Sequence, residues 1–167
     1  FTNIKAGDLS TGGTPTAFII LENDCQGVKF TGCTGINPTF GMIIQQGAGV
    51  AVAPSFCEFH GLDIDQPHNA GISISQGSWL SWYGGFITPT GSFINIPAFS
   101  IGSAPTHLQF IGTTVYGFSA SGGTGFFFNG GSGGALLVGC QVDTCNTGIQ
   151  ITGATNVRVY NTTVSNC

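Results

Sequence analysis

The chain has 167 residues, enough to bury one core, yet only 6% of them are charged, against about 25% in an ordinary soluble domain. Its net charge is −4, and its three basic residues, Lys5, Lys29 and Arg158, are scattered, which excludes a nucleic-acid groove of clustered cations. Gly (28 copies), Phe (14) and β-branched residues dominate, and no apolar run approaches the roughly 18–20 residues of a spanning helix, so an all-β fold without membrane insertion is expected.

Taken in chain order, residues 1–26 read as an irregular first coil or lead-in segment, followed by a regular array over 27–167. The start at Phe1 rather than Met, and the end at Cys167 within a strand-like pattern, point to a piece of a longer protein. The array alternates two units. One is apolar-any-apolar followed by a small residue: Val28-Lys29-Phe30, Cys57-Glu58-Phe59, Leu80-Ser81-Trp82, Leu108-Gln109-Phe110, Leu136-Leu137-Val138 and Val157-Arg158-Val159. The other begins with glycine: Gly41-Met42-Ile43-Ile44, Gly71-Ile72-Ser73-Ile74, Gly125-Phe126-Phe127-Phe128 and Gly148-Ile149-Gln150-Ile151, with a weaker copy at Ser92-Phe93-Ile94-Asn95-Ile96. The last apolar residue of the first unit falls at 30, 59, 82, 110, 138 and 159, so the gaps are 29, 23, 28, 28 and 21 residues. Such gaps fit solenoid coils of three short strands with loops of variable length.

Strand side chains alternate, so the two apolar residues of each unit face one way, and closing the coil points them inward. Coils stack about 4.8 Å apart, which predicts an internal column of Phe30, Phe59, Trp82, Phe110, Val138 and Val159. The expected fold is therefore a right-handed parallel β-helix of roughly six coils. Over about Gly27 to Cys167 the pattern resembles the right-handed parallel β-helix proteins, which include pectate-lyase-like enzymes and the trimeric tailspikes and tail fibres of phages. That resemblance implies an elongated protein of a virion tail or other extracellular setting. The expected function is a shaft and receptor-binding segment of a tail fibre or tailspike, homotrimeric, contacting host cell-surface polysaccharide and further virion proteins. The alternatives are a β-helical polysaccharide lyase or glycoside hydrolase, and a non-catalytic bacterial surface or filament protein. Catalysis is the lesser expectation, because pectin-processing relatives use basic residues that are scarce here.

Six cysteines, Cys25, Cys33, Cys57, Cys140, Cys145 and Cys167, lack the close spacing of zinc ligands, and no metal or cofactor is expected. Cys145 and Cys167 fall at matching places in adjacent coils, within reach of a disulfide; a column of small buried thiols is the other reading. The seven carboxylates are Asp8, Glu22, Asp24, Glu58, Asp63, Asp65 and Asp143. Only the run Glu58 to Asp65 is dense. With Cys57, Phe59, Leu62 and Ile64 inward, Glu58, His60, Asp63 and Asp65 face outward. Glu58, Asp63 and Asp65 are candidates for a hydrolytic acid–base pair or a hard cation; a solvated ladder, with Lys29 beside Glu58 and Tyr83 beside His60, is the plainer expectation. Trp79, Tyr83 and His60 are the candidate glycan contacts, since flat exposed rings can stack on sugars. His68 and His107 read as turn or surface residues. Asn161-Thr162-Thr163 matches a glycosylation acceptor but also fits a coil corner.

Overall fold

The computed structural model describes residues 1–7, 17–49, 51–89, 94–131 and 133–167. Asp8, Ser92, Phe93 and Ser132 lie outside the described residues. The fold is a parallel β-solenoid about five turns long, with no helix among the described residues. The five turns correspond to the five stacking steps within each six-stranded sheet, where roughly six coils are expected from sequence.

Three parallel sheets form its walls. Sheet 1 has seven three-residue strands: Lys5–Gly7, Thr34–Ile36, Asp63–Asp65, Phe86–Thr88, Thr114–Tyr116, Gln141–Asp143 and Thr163–Ser165. Sheet 2 comprises Ala17–Glu22, Phe40–Gln45, Ala70–Ile74, Pro97–Ile101, Thr124–Asn129 and Thr147–Thr152. Sheet 3 comprises Lys29–Thr31, Glu58–His60, Ser78–Tyr83, Thr106–Ile111, Gly133–Val138 and Thr155–Tyr160. Regular stacking begins before residue 27: Lys5–Gly7 pairs with Thr34–Ile36, and Ala17–Glu22 with Phe40–Gln45.

The inner column of sheet 3 is Phe30, Phe59, Trp82, Phe110, Leu137 and Val159. Val138 is not a member. It pairs with Ile111 and Tyr160 on the outer face, while Leu137 is fully buried. The error arises because Leu136-Leu137-Val138 is apolar throughout and shows no alternation. Corrected gaps are 29, 23, 28, 27 and 22 residues. Phe1 caps the column with its ring 5.0 Å from Phe30. Phe30–Phe59, Phe59–Trp82 and Trp82–Phe110 follow at 5.6, 4.7 and 4.9 Å, nearly parallel. These separations match the strand spacing of about 4.8 Å, so backbone pairing and ring stacking are satisfied by one geometry.

Sheet 2 contributes two inner columns. One runs Ile19, Met42, Ile72, Phe99, Phe126, Ile149 and the other Leu21, Ile44, Ile74, Ile101, Phe128, Ile151. The fourth strand is Pro97–Ile101, not the weaker copy at 92–96, whose described residues Ile94, Asn95 and Ile96 form the preceding turn. Ala98 stands there where the other copies have glycine.

That glycine column is a packing requirement. A Cβ on Gly41 would lie 2.3 Å from Ile64 Cγ2, on Gly71 2.6 Å from Ile87 Cγ2, and on Gly125 2.5 Å from Val142 Cγ1. Branched residues of sheet 1 thus fill the space that sheet 2 leaves empty. In the first turn the sizes are exchanged. Phe18 occupies the glycine position, and Gly35 stands where later turns have Ile64, Ile87 and Val115. A Cβ on Gly35 would meet the Phe18 ring at 2.5 Å. Total volume is conserved, as close packing demands.

Candidate functional site

Columns of positive φ run along the solenoid, among them one at the corner after sheet 1 (Asn37, Gln66, Gly117, Thr144, Asn166) and one on the outer face of sheet 3. Three residues before each stack residue, φ is positive: Gly27 (65°), Phe56 (56°), Trp79 (55°), His107 (55°), Gly134 (73°) and Asn156 (56°). Glycine and asparagine adopt this conformation readily. For a bulky L-residue it costs about 1–2 kcal/mol. The kink interrupts the ladder. Ser78 pairs with Thr106 and Leu80 with Leu108, and Trp79 and His107 between them are skipped.

The three strained side chains form an exposed rail along the solenoid axis. Phe56 and Trp79 stack at 6.2 Å and 7°, Trp79 and His107 at 4.1 Å and 9°. Phe56 is 59% exposed and Trp79 49%. Across the sheet runs a second rail, one residue beyond the stack: Thr31, His60, Tyr83, Ile111, Val138, Tyr160. His60 and Tyr83 stack there at 4.6 Å. Between the rails the floor is Lys29, Glu58, Ser81, Gln109, Leu136 and Arg158. Two hollows open on this face. One, of about 280 Å³, lies over Glu58, Ser81 and Gln109 between Phe56, Trp79, His107 and Tyr83. The other, of about 430 Å³, opens where Gly134 leaves a gap after His107 and reaches Arg158 and Tyr160.

Trp79, Tyr83 and His60, the candidate glycan contacts, thus share one face, with Trp79 on one rail and the other two opposite. Phe56 and His107 were not among the expected contacts. Their signal was present: aligned at minus three from the corrected stack positions, they share a column with Gly27, Gly134 and Asn156, residues that mark positive φ.

The acidic run is divided by the corner at Gly61, where φ is 58°. Glu58 lies on the floor of sheet 3. Lys29 Nζ is 3.2 Å and His60 Nε2 2.9 Å from its carboxylate. His60 and then Lys29 hold that carboxyl below the usual range. Asp63 and Asp65 stand on the outer face of sheet 1. Asp63 pairs across strands with Thr34 and Phe86, Asp65 with Ile36 and Thr88. Partial desolvation pushes the Asp63 carboxyl up, and a hydrogen bond from the Phe86 backbone pulls the other way. Glu58 therefore does not share a face with the two aspartates. Among the described residues no three His, Cys, Asp or Glu side chains converge as a metal-ligand set.

All six cysteines are free thiols. Cys145 and Cys167 occupy equivalent places in adjacent turns, their Sγ atoms donating to the carbonyls of Asp143 and Ser165 at 3.6 and 3.1 Å. Burial pushes the Cys145 thiol up to about 12, and the neighbouring Cys167 adds to the shift. His68 is fastened to Asn37 at 2.6 Å. Asn161 takes positive φ at the corner position shared with Gly112 and Gly139. Comparison with protein-family models, with curated proteins and with solved structures found no match for this chain.

Proposed function

We propose that this chain is a rigid, non-catalytic solenoid shaft that binds cell-surface polysaccharide along the outer face of sheet 3, in the manner of a phage tail fibre or tailspike. The observation that carries this reading is the Phe56–Trp79–His107 rail. Three aromatic rings are held in solvent by a backbone conformation that disfavours them. A folding-only role for these positions is met by glycine or asparagine, as at Gly27, Gly134 and Asn156. Strain of this kind is characteristic of binding sites. The rings stack on one another, so they present their edges to a chain lying in the groove. The end faces, of Phe56 towards Gly27 and of His107 towards Gly134, are open to stack on a sugar. The polar floor of Ser81 and Gln109 supplies hydrogen bonds to hydroxyls. Glu58 is ion-paired with Lys29 and hydrogen-bonded to His60, which suits a contact residue better than a general acid. For the homotrimer, the outer face of sheet 1 exposes Ile36, Phe86 and Tyr116, apolar side chains suited to a subunit contact.

Affinity electrophoresis through gels containing bacterial capsular and lipopolysaccharide glycans tests the reading. The expected result is retardation by at least one glycan, its loss in Trp79→Ala, and unchanged glycan length after incubation. Shortening of the glycan makes the protein a depolymerase instead, and absence of retardation across the panel removes the proposal. Sedimentation equilibrium reads the trimer directly.

A further inference from the structure

Resting on that reading, we infer that the gap at Gly134 is the specificity-determining subsite of the groove and that it accepts a sugar ring bearing a carboxylate. The aromatic rail ends at His107. The next rung has no side chain, and the rung after it is Asn156. Two rungs separate His107 and Asn156 by about 9–10 Å. One ring in van der Waals contact on both faces needs about 7–8 Å. The hollow of about 430 Å³ is thus a slot for one ring, walled by the His107 imidazole and the Asn156 amide.

The chemistry of the slot comes from Arg158. It lies on the floor in the column of Gln109 and Leu136, and it lines the hollow with Tyr160. Lys29, at the far end of the same column, is paired with Glu58. Among the described residues Arg158 has no ion-pair partner. A guanidinium presents a planar fork of donors that matches a carboxylate with two parallel hydrogen bonds. Nothing negative in the slot competes for it, and Gln109 and Asn156 can satisfy the ring hydroxyls. A neutral hexose leaves the fork unmatched, so discrimination follows from the presence or absence of the acid.

The test is an array of bacterial surface polysaccharides, each printed in native and carboxyl-reduced form, with sulfated glycans included. For the wild-type protein, carboxyl reduction is expected to weaken binding by about ten- to hundredfold, the range of a charge-assisted pair. Arg158→Gln should lose the same factor on native glycans and nothing on reduced ones, and Arg158→Lys should recover part. Gly134→Trp, which extends the rail into the slot, should weaken native-glycan binding as well. Equal binding of native and reduced forms, or a preference confined to sulfated glycans, overturns the carboxylate assignment while leaving the groove intact. Stronger binding by Gly134→Trp overturns the slot and turns the rail into a continuous platform. Absence of binding to any spot removes both this inference and the function on which it rests. Thermal melting of each variant verifies that its fold is retained.

Discussion

Replacing Trp79 by alanine and by glycine separates the cost of its backbone from the value of its ring. Both substitutions remove two stacked pairs, with Phe56 at 6.2 Å and His107 at 4.1 Å. At about 0.5–1.5 kcal/mol per pair, the loss is about 1–3 kcal/mol. Alanine retains the strain of φ 55°, whereas glycine relieves about 1–2 kcal/mol of it. Glycine also makes the unfolded chain freer, which costs about 0.5–1 kcal/mol. The glycine variant should therefore be the more stable of the two by about 0.5–1 kcal/mol. In a chain of this size that is about 1–4 °C in Tm. Both variants should lose polysaccharide retardation, because the ring is gone from each. Scanning fluorimetry at one protein concentration and one heating rate reads the difference. An alanine variant as stable as the glycine variant or more so refutes the strain argument, and with it the reason for regarding the rail as selected for binding.

The size exchange in the first turn is open to a double-mutant cycle: Gly35→Ile alone should cost about 1–3 kcal/mol by overpacking against Phe18, while Phe18→Gly with Gly35→Ile copies the later turns and should recover much of the loss. Additive denaturation midpoints in that cycle contradict the exchange. Glu58 is held below its ordinary carboxyl value of 4.5, first by His60 and then by Lys29. A depressed carboxyl stabilises the folded chain above that ordinary value, and the contribution disappears as pH falls through the folded value. The Tm gap between wild type and Glu58→Gln should accordingly be present at pH 7 and close on acidification; a gap that persists at pH 2 contradicts the pairing. Iodoacetamide at pH 8, followed by peptide mass mapping, should label exposed Cys167 first and spare Cys145, whose thiol is pushed up to about 12, until the chain is denatured. Equal labelling rates of the two contradict the buried placement of Cys145.

The strand period of two and the recurrence of Phe30, Phe59, Trp82 and Phe110 made the coil and most of its central column readable. Legibility failed where a marker was absent. Leu136-Leu137-Val138 offers three apolar residues and no alternation, so Leu137 and Val138 cannot be distinguished locally. Pro97–Ile101 lacks the glycine marker, because Ala98 stands in the glycine column. The candidate face was half legible. Trp79 stands out as an aromatic beside a strand, but Phe56 and His107 gain meaning only when aligned with Gly27, Gly134 and Asn156. That alignment depends on a register in which Leu137, not Val138, is the inward residue.

From the sequence alone follow the all-β class, the inward alternation, the corner glycines and the neighbourhood of Lys29, Glu58 and His60. These are properties of one coil or of two consecutive repeats. Only the tertiary structure decided that Glu58 and Asp63 lie on different walls, that Phe18 and Gly35 exchange volume, and that three strained aromatics form one rail. The physical reason is that each of these depends on how the chain bends round a turn and how turns stack. Glu58 and Asp63 are parted by the Gly61 corner, Phe18 meets Gly35 17 positions on, and Phe56, Trp79 and His107 follow one another at 23 and 28 positions. Loop length shifts these separations from turn to turn, and it is the packing of whole turns upon one another that selects the pairing.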